Sequence, residues 1–202
     1  LYLFDNGFAP YISYSTAFTP TSFADENGNV LDPMKGKQWE AGLKYEPEGM
    51  NSQFSASVFR INQTNIATKE EPTDPYRSIG EIESKGVELE ASGYLSQNWM
   101  VMAGYTFTDI EEKAGDHNPK FDTIPRHTLS LWTDYHLADW VQGLHLGAGM
   151  TAVSDYGFNQ KGVETHQGGY ALFDAAVRYE INDRMQATLN LYNLLDREYF
   201  YR

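Results

Sequence analysis

The chain contains no cysteine. That removes disulfide frameworks, thiolate metal centres and cysteine nucleophiles. It contains no apolar run near the ~20 residues that a membrane-spanning helix needs, which excludes a helical membrane protein. No long segment carries the apolar period of an amphipathic helix. Basic residues are scarce, 15 against 28 acidic ones, for a formal net charge of −13. A surface of that sign repels phosphate backbones, so nucleic acid is not an expected partner. Phosphate loops, dinucleotide fingerprints and Gly-x-Ser-x-Gly elbows are missing too. Apolar and aromatic residues are plentiful, at 41% and 14% of 202 positions, too many for a disordered chain.

Strict alternation of apolar and polar residues takes the place of helical periodicity. Trp99, Val101, Ala103, Tyr105 and Phe107 share one face, opposite Met100, Met102, Gly104, Thr106 and Thr108. Leu129, Leu131, Tyr135 and Leu137 oppose Ser130, Trp132, Asp134 and His136. Leu144 to Ala152, Met185 to Tyr192, Trp39 to Tyr45 and Val87 to Leu95 repeat the pattern. Further strands are expected at Pro10–Phe18, Gln53–Asn62 and Tyr170–Ile181, giving nine, with strand ends at Leu1–Phe4 and Glu198–Arg202.

The connections alternate in length. Short turns fall at Asp5–Gly7, Glu46–Ser52, Ser96–Asn98, Ala138–Gly143 and Asn182–Arg184. Their Asn-Gly and Asn-Asp steps suit tight hairpins. Long connections fall at Thr19–Lys37, Gln63–Gly80, Asp109–His127 and Ser154–Gly169. Short turns at one end and long loops at the other describe an outer-membrane barrel, with its short turns in the periplasm. In such a barrel the apolar face meets lipid and the polar face lines the lumen. Glu40, Lys44, Glu88, Glu90, Asp134, His136 and Asn190 fall on the polar face. Aromatics near strand ends (Tyr11, Phe18, Trp39, Tyr45, Trp99, Phe107, Trp140, Tyr170, Tyr192) suit interfacial girdles. Alternation alone leaves a soluble β-sandwich open, with its apolar face buried instead.

Five segments are similar to TonB-dependent siderophore receptors. They are Ala9–Pro20, Gly36–Tyr45, Gly80–Ala91, Ile124–His127 and Asn193–Tyr199, the last with Leu195 where the family's signature has phenylalanine. The nearest resemblance is to the ferrichrome and hydroxamate-siderophore branch. It implies an all-β, antiparallel transmembrane β-barrel of the bacterial cell outer membrane. Family members hold an N-terminal plug inside a barrel of about 22 strands. Residues 1–202 then correspond to the C-terminal portion of that barrel, about nine or ten strands, without the plug. The implied activity is capture of a ferric siderophore of hydroxamate type and its active import. The implied partners are the TonB–ExbB–ExbD energy-transducing complex, reached through the plug, and outer-membrane lipid with lipopolysaccharide. A passive porin-like channel shares the architecture and stays open as an alternative.

Aromatics on the long loops are the candidate ligand contacts, because aromatic rings pack on the apolar rim of a chelate and phenols donate to its oxygens. They are Tyr156 and Phe158, followed by Tyr76, Phe121, Tyr199 and Tyr201. No catalytic residue, cofactor or protein-bound metal is expected, because iron arrives already wrapped in its siderophore. The five histidines lack ligand spacing, and His127, His136 and His145 read as residues of the polar face. Asp25–Asn29 only faintly matches a calcium loop, with Gly36 where the twelfth-position glutamate should stand. Glu88 and Glu90 share a face as a glycosidase pair would. In the barrel they read as luminal charges that help hold a plug.

Overall fold

A computed structural model describes residues 3–69, 73–114, 124–160 and 163–200. Within them every regular element is a strand: β1 (Phe8–Thr19), β2 (Met34–Tyr45), β3 (Ser52–Thr68), β4 (Arg77–Ser96), β5 (Trp99–Ala114), β6 (His127–His136), β7 (Leu144–Val153), β8 (Tyr156–Gln160), β9 (Val163–Gln167), β10 (Tyr170–Asn182) and β11 (Met185–Leu191). Nine of them form one sheet in the order β1-β2-β3-β4-β5-β6-β7-β10-β11. Each pairs antiparallel with its sequence neighbour, β7 with β10 across the β8–β9 hairpin. The sheet does not close on itself, and β1 and β11 are its edges.

The nine expected strands are therefore present, with three corrections. Leu3, Phe4 and Glu198–Phe200 are not in strands, while residues 1, 2, 201 and 202 lie outside the described residues. The Ser154–Gly169 connection carries a two-stranded hairpin, β8 with β9. The strands β3, β4 and β5 also run further into the loop end than the apolar alternation indicates, to 17, 20 and 16 residues against 10 for β6 and β7.

The third difference has a physical cause. A tilted strand needs only ~9–11 residues to cross the hydrocarbon. The excess stands in water, where the outward face no longer has to be apolar. There the outward positions carry charge. Glu83, only 6% exposed, is bridged by Arg60 and lies 3.4 Å from Lys113 Nζ. Lys113 also reaches Glu111 at 2.5 Å, Lys85 reaches Asp109 at 3.3 Å, and Arg126 reaches Asp109 at 3.5 Å. Cross-strand ion pairs such as these support a ladder without leaving any hydrophobic signal in the sequence.

Below this charged belt the outward face is apolar. Leu131, Leu189 and Leu191 are 39%, 57% and 45% exposed, and Trp39, Val58 and Leu89 stand open on the same face of the sheet. Among the described residues no side chain is fully buried, and no second layer covers this face. A β-sandwich would bury this face against a second sheet. In a bilayer the backbone groups between neighbouring strands find their partners in the ladder, and the exposed side chains meet lipid.

Three residues stand on the other face from the one expected. Tyr170 pairs opposite Val153, on the polar face that Asp174 and Gly149 share, so it is not part of a girdle. Tyr11 pairs opposite Gly42 on the polar face and donates its hydroxyl to Glu40, so it is not part of a girdle. His127 pairs opposite Phe107 on the outward face, where its Nδ1 lies 2.8 Å from the Tyr105 hydroxyl. At the other end the turns are tight. Gly143 has φ +78°, and a Cβ there would stand 2.7 Å from the Glu180 carbonyl oxygen, so the β6–β7 turn requires glycine.

Candidate functional site: loop aromatics and the luminal wall

The loop aromatics separate into two groups. Tyr156, at the start of β8, is buried, and its hydroxyl donates to the Phe200 carbonyl at 2.9 Å. Gln167, its partner across the hairpin, is also buried and accepts from the Phe200 amide at 3.1 Å. Tyr170 stacks on Tyr199 with centroids 4.9 Å apart. These contacts fasten the β8–β9 hairpin to the segment after β11. The same segment is pinned at its root, where the Asn193 amide donates to Asp174 at 2.8 Å and the Leu194 amide to the Phe173 carbonyl at 2.7 Å. Tyr156 and Tyr199 thus belong to one cluster. Tyr76 belongs to another: it stacks on Phe23 at 4.0 Å, and Lys69 Nζ lies 5.1 Å from its ring centroid. That contact joins the β1–β2 loop to the β3–β4 loop. Phe121 and Tyr201 lie outside the described residues, as does the side chain of Phe158.

The polar face has two distinct parts. On β1–β4 it is charged and hydrogen-bonded. Glu40 accepts from the Tyr11 hydroxyl at 2.5 Å and from Gln38 Nε2 at 3.1 Å. Glu90 accepts from the Ser55 hydroxyl at 3.2 Å, and Lys44 Nζ stands 5.8 Å from the Tyr11 ring. Glu88 pairs opposite Ser57 and Thr106 on the same face.

On β5–β7 and β10 the middle of the face is small and nearly uncharged. Register places Gly104 beside Ser130, Ser130 beside Thr151, Trp132 beside Gly149, and Gly147 beside Ala176. The Trp132 indole lies flat on β7: a Cβ on Gly147 or Gly149 would come within 2.6 or 2.7 Å of the ring. Towards the short turns the face becomes ionic again. His136 and His145 stack at 4.2 Å with their planes 2° apart. His145 Nδ1 is 2.9 Å from Asp134 Oδ1 and 2.9 Å from Arg178 Nη2. No group of three or more His, Asp or Glu side chains placed to hold a metal ion occurs among the described residues.

Trp132 and the stacked histidine pair were not among the candidate site residues. Trp132 alternates with Ser130 and Asp134, so its luminal side was legible. Its seat on two glycines of the next strand was not, because it depends on register.

A lipid-facing apolar band, a polar inner wall and loops enlarged at one end define an outer-membrane β-barrel. The family model described as TonB dependent receptor-like, beta-barrel matches residues 1–194. The chain belongs to that family, and its place is the bacterial cell outer membrane. It is 57% identical over 208 aligned positions to the "Ferrioxamine B receptor" of Salmonella typhimurium, covering 98% of this chain and 29% of that protein. It is 39% identical to the "Ferrichrome outer membrane transporter/phage receptor" of Escherichia coli K12, covering 98% and 27%. Its fold superposes on P. aeruginosa FpvA in a complex with a heterologous ferric pyoverdine, with TM-score 0.84, 28% identity, and 98% and 28% of the two chains covered. The chain therefore spans less than a third of the length of the curated relatives it matches.

Proposed function

We infer that the chain is the C-terminal portion of the barrel of a receptor that binds a ferric siderophore at the cell surface and imports it actively. The identity of 57% to a ferrioxamine B receptor along 98% of the chain carries this reading and favours a hydroxamate-type ligand. Energy reaches the receptor from the TonB–ExbB–ExbD complex through a plug encoded outside these 202 residues. The reading assigns recognition and gated passage to the protein, with no covalent catalysis and no resident cofactor.

The luminal carboxylates fit this reading. Glu40, Glu88 and Glu90 stand on the wall that a plug would touch, and they supply acceptors for its hydrogen bonds and cations. The loop aromatics divide the remaining work. Tyr156 spends its hydroxyl on Phe200 and sets the hairpin, while Tyr76 and Tyr199 sit in stacked pairs whose outer edges serve the ligand. Phe121, Phe158 and Tyr201 are proposed contacts on sequence grounds. Lipid and lipopolysaccharide surround the apolar band and the charged belt above it.

The test is uptake of radiolabelled ferric ferrioxamine B by cells expressing the intact receptor, with and without functional TonB. Uptake only in TonB-competent cells is the expected result. Equal uptake in decoupled cells would instead indicate the passive channel.

A further inference from the structure

The two parts of the inner wall differ in a way that the uptake reading alone does not explain. We propose that the small, nearly uncharged strip on β5–β7 and β10 is the track along which the ferric chelate passes the plug, and that it suits a charge-neutral hydroxamate complex. The proposal rests on the siderophore-uptake reading and deepens it.

Four observations carry it. The strip is recessed: a cavity of about 480 Å³ opens over Met102, Gly104, Ser130, Trp132 and Gly149 and extends to Ser55 and Glu90 on β3 and β4, a volume in the range of small-molecule sites. It is smooth, because Trp132 lies flush on Gly147 and Gly149 and a Cβ on Gly104 would meet nothing within 4 Å. It offers little to grip, because the backbone groups of these strands are engaged in the ladder. Its two carboxylates, Glu90 opposite Gly104 and Asp174 opposite Gly149, each accept a hydrogen bond, from the Ser55 hydroxyl and the Asn193 amide, and their charge repels an anionic chelate.

Charge then selects the passenger. Three hydroxamate monoanions cancel the charge of ferric iron, so the core of a tris-hydroxamate chelate is neutral. Its rim is apolar and packs on an indole and a thioether. A tris-catecholate core carries three net negative charges and would find no cation at mid-height on this strip. A plug, by contrast, needs side chains that hold it, and those stand on β1–β4. A wall that released neither cargo nor plug would trap the ligand.

The experiment places a large side chain on each wall of the intact receptor, as Gly104→Trp and Ser13→Trp. Ser13 is an exposed residue on the same face of β1, where it pairs opposite Glu40. Binding of ferric ferrioxamine B is measured on energy-depleted cells and uptake on energised cells. Gly104→Trp should bind within about twofold of the parent while uptake falls at least about tenfold, whereas Ser13→Trp, set beside Glu40 on the wall that holds the plug, should lower binding and uptake together. Parental uptake by Gly104→Trp overturns the proposal. So does loss of surface binding in Gly104→Trp, as at Ser13→Trp, which would mean that the indole dislodges the plug there too. If the indole prevents assembly, Gly104→Met replaces it. A thioether already lines the strip at Met102, so it should assemble, and unchanged uptake then counts against the track. A parent receptor with no energised uptake would refute the functional reading itself, a separate outcome.

Discussion

Two walls of the same lumen are built on the same ladder and carry opposite side-chain programmes. On β1–β4 an aromatic ring lies over a glycine of the next strand: a Cβ on Gly42 would come 2.6 Å from the Tyr11 ring. That ring ends in a hydroxyl bonded to Glu40. On β6–β7 the same device recurs, with Trp132 over Gly147 and Gly149. There the neighbouring side chains are mostly glycine, serine, threonine and methionine, with Asp134 opposite Gly147 and Asp174 opposite Gly149 and neither glutamate nor lysine on β6 or β7. Covering a glycine with a ring protects the ladder at both places. What stands around the ring decides whether the wall holds its occupant or lets it slide.

Reversing charge on the holding wall should have the largest effect. Glu40→Lys together with Glu88→Lys in the intact receptor replaces two acceptors by two cations. Uptake of ferric ferrioxamine B should fall at least about tenfold, and entry of large antibiotics should rise as the plug loosens. Retained uptake with an unchanged permeability barrier would remove the distinction between the walls, because these carboxylates would then hold nothing.

On the smooth wall the expected loss is structural and smaller. Gly147→Leu drives a side chain into the Trp132 ring and should lower stability in detergent by ~1–3 kcal/mol, the usual cost of overpacking. Trp132→Ala should recover much of that loss when combined with it, because the two changes share one contact. Additive losses, read from thermal unfolding of the four receptors, would show that the ring does not bear on Gly147.

The charged extension above the bilayer should respond less still. Glu83→Gln leaves Arg60 and Lys113 without their carboxylate, but both cations are substantially exposed, at 61% and 39%, and water takes over most of the loss. A cost of about 1 kcal/mol is expected, shrinking as salt rises. A cost several times larger and insensitive to salt would mean that the belt is dry, and so covered by another layer.

How much of this was legible in the sequence follows from which force leaves a trace in it. Lipid contact demands apolar side chains at every second position, so the spans from Trp99 to Phe107 and from Leu144 to Ala152 were plain, and so was the polarity of their two faces. The long outer ends of β3–β5 were not. Glu81, Glu83 and Lys85 alternate with Ile82 and Ser84, the reverse of a lipid-facing pattern, and only register shows their partners across β3 and β5. The β8–β9 hairpin was missed for a similar reason. Its five-residue strands lie outside the membrane and need no apolar face. Tyr11 was misread because an aromatic near a strand end looks the same from either face until its hydroxyl finds Glu40. The loop aromatics were recognised as a class, but the bracing role of Tyr156 depends on Phe200, which is 44 residues away.

The β1–β2 loop tests whether hydrogen-bonded order on the holding side continues beyond the barrel, and it should give the smallest effect. Asp25 Oδ1 accepts from the Asn29 amide at 2.8 Å and the Asn27 amide at 2.9 Å, and the Asn29 side-chain amide reaches Oδ2 at 3.3 Å. The backbone bond from Asn29 is the main influence that holds this carboxyl below the ordinary aspartate value, against a smaller opposing cost of desolvation. A depressed value means that the turn gains from the ionised form at any pH above the unfolded value. The gain disappears as pH falls through the lowered one. A nitroxide on Glu26→Cys reports the turn without competing label sites in this chain, which has no cysteine of its own. Its mobility should be flat from neutral pH down to about pH 5 and should rise only well below pH 4. Asp25→Asn keeps a neutral acceptor at Oδ1 and should flatten that rise. A transition that begins near pH 6 would mean that a group other than Asp25 controls the turn. It would break the link between this loop and the carboxylate-based order of the wall beneath it.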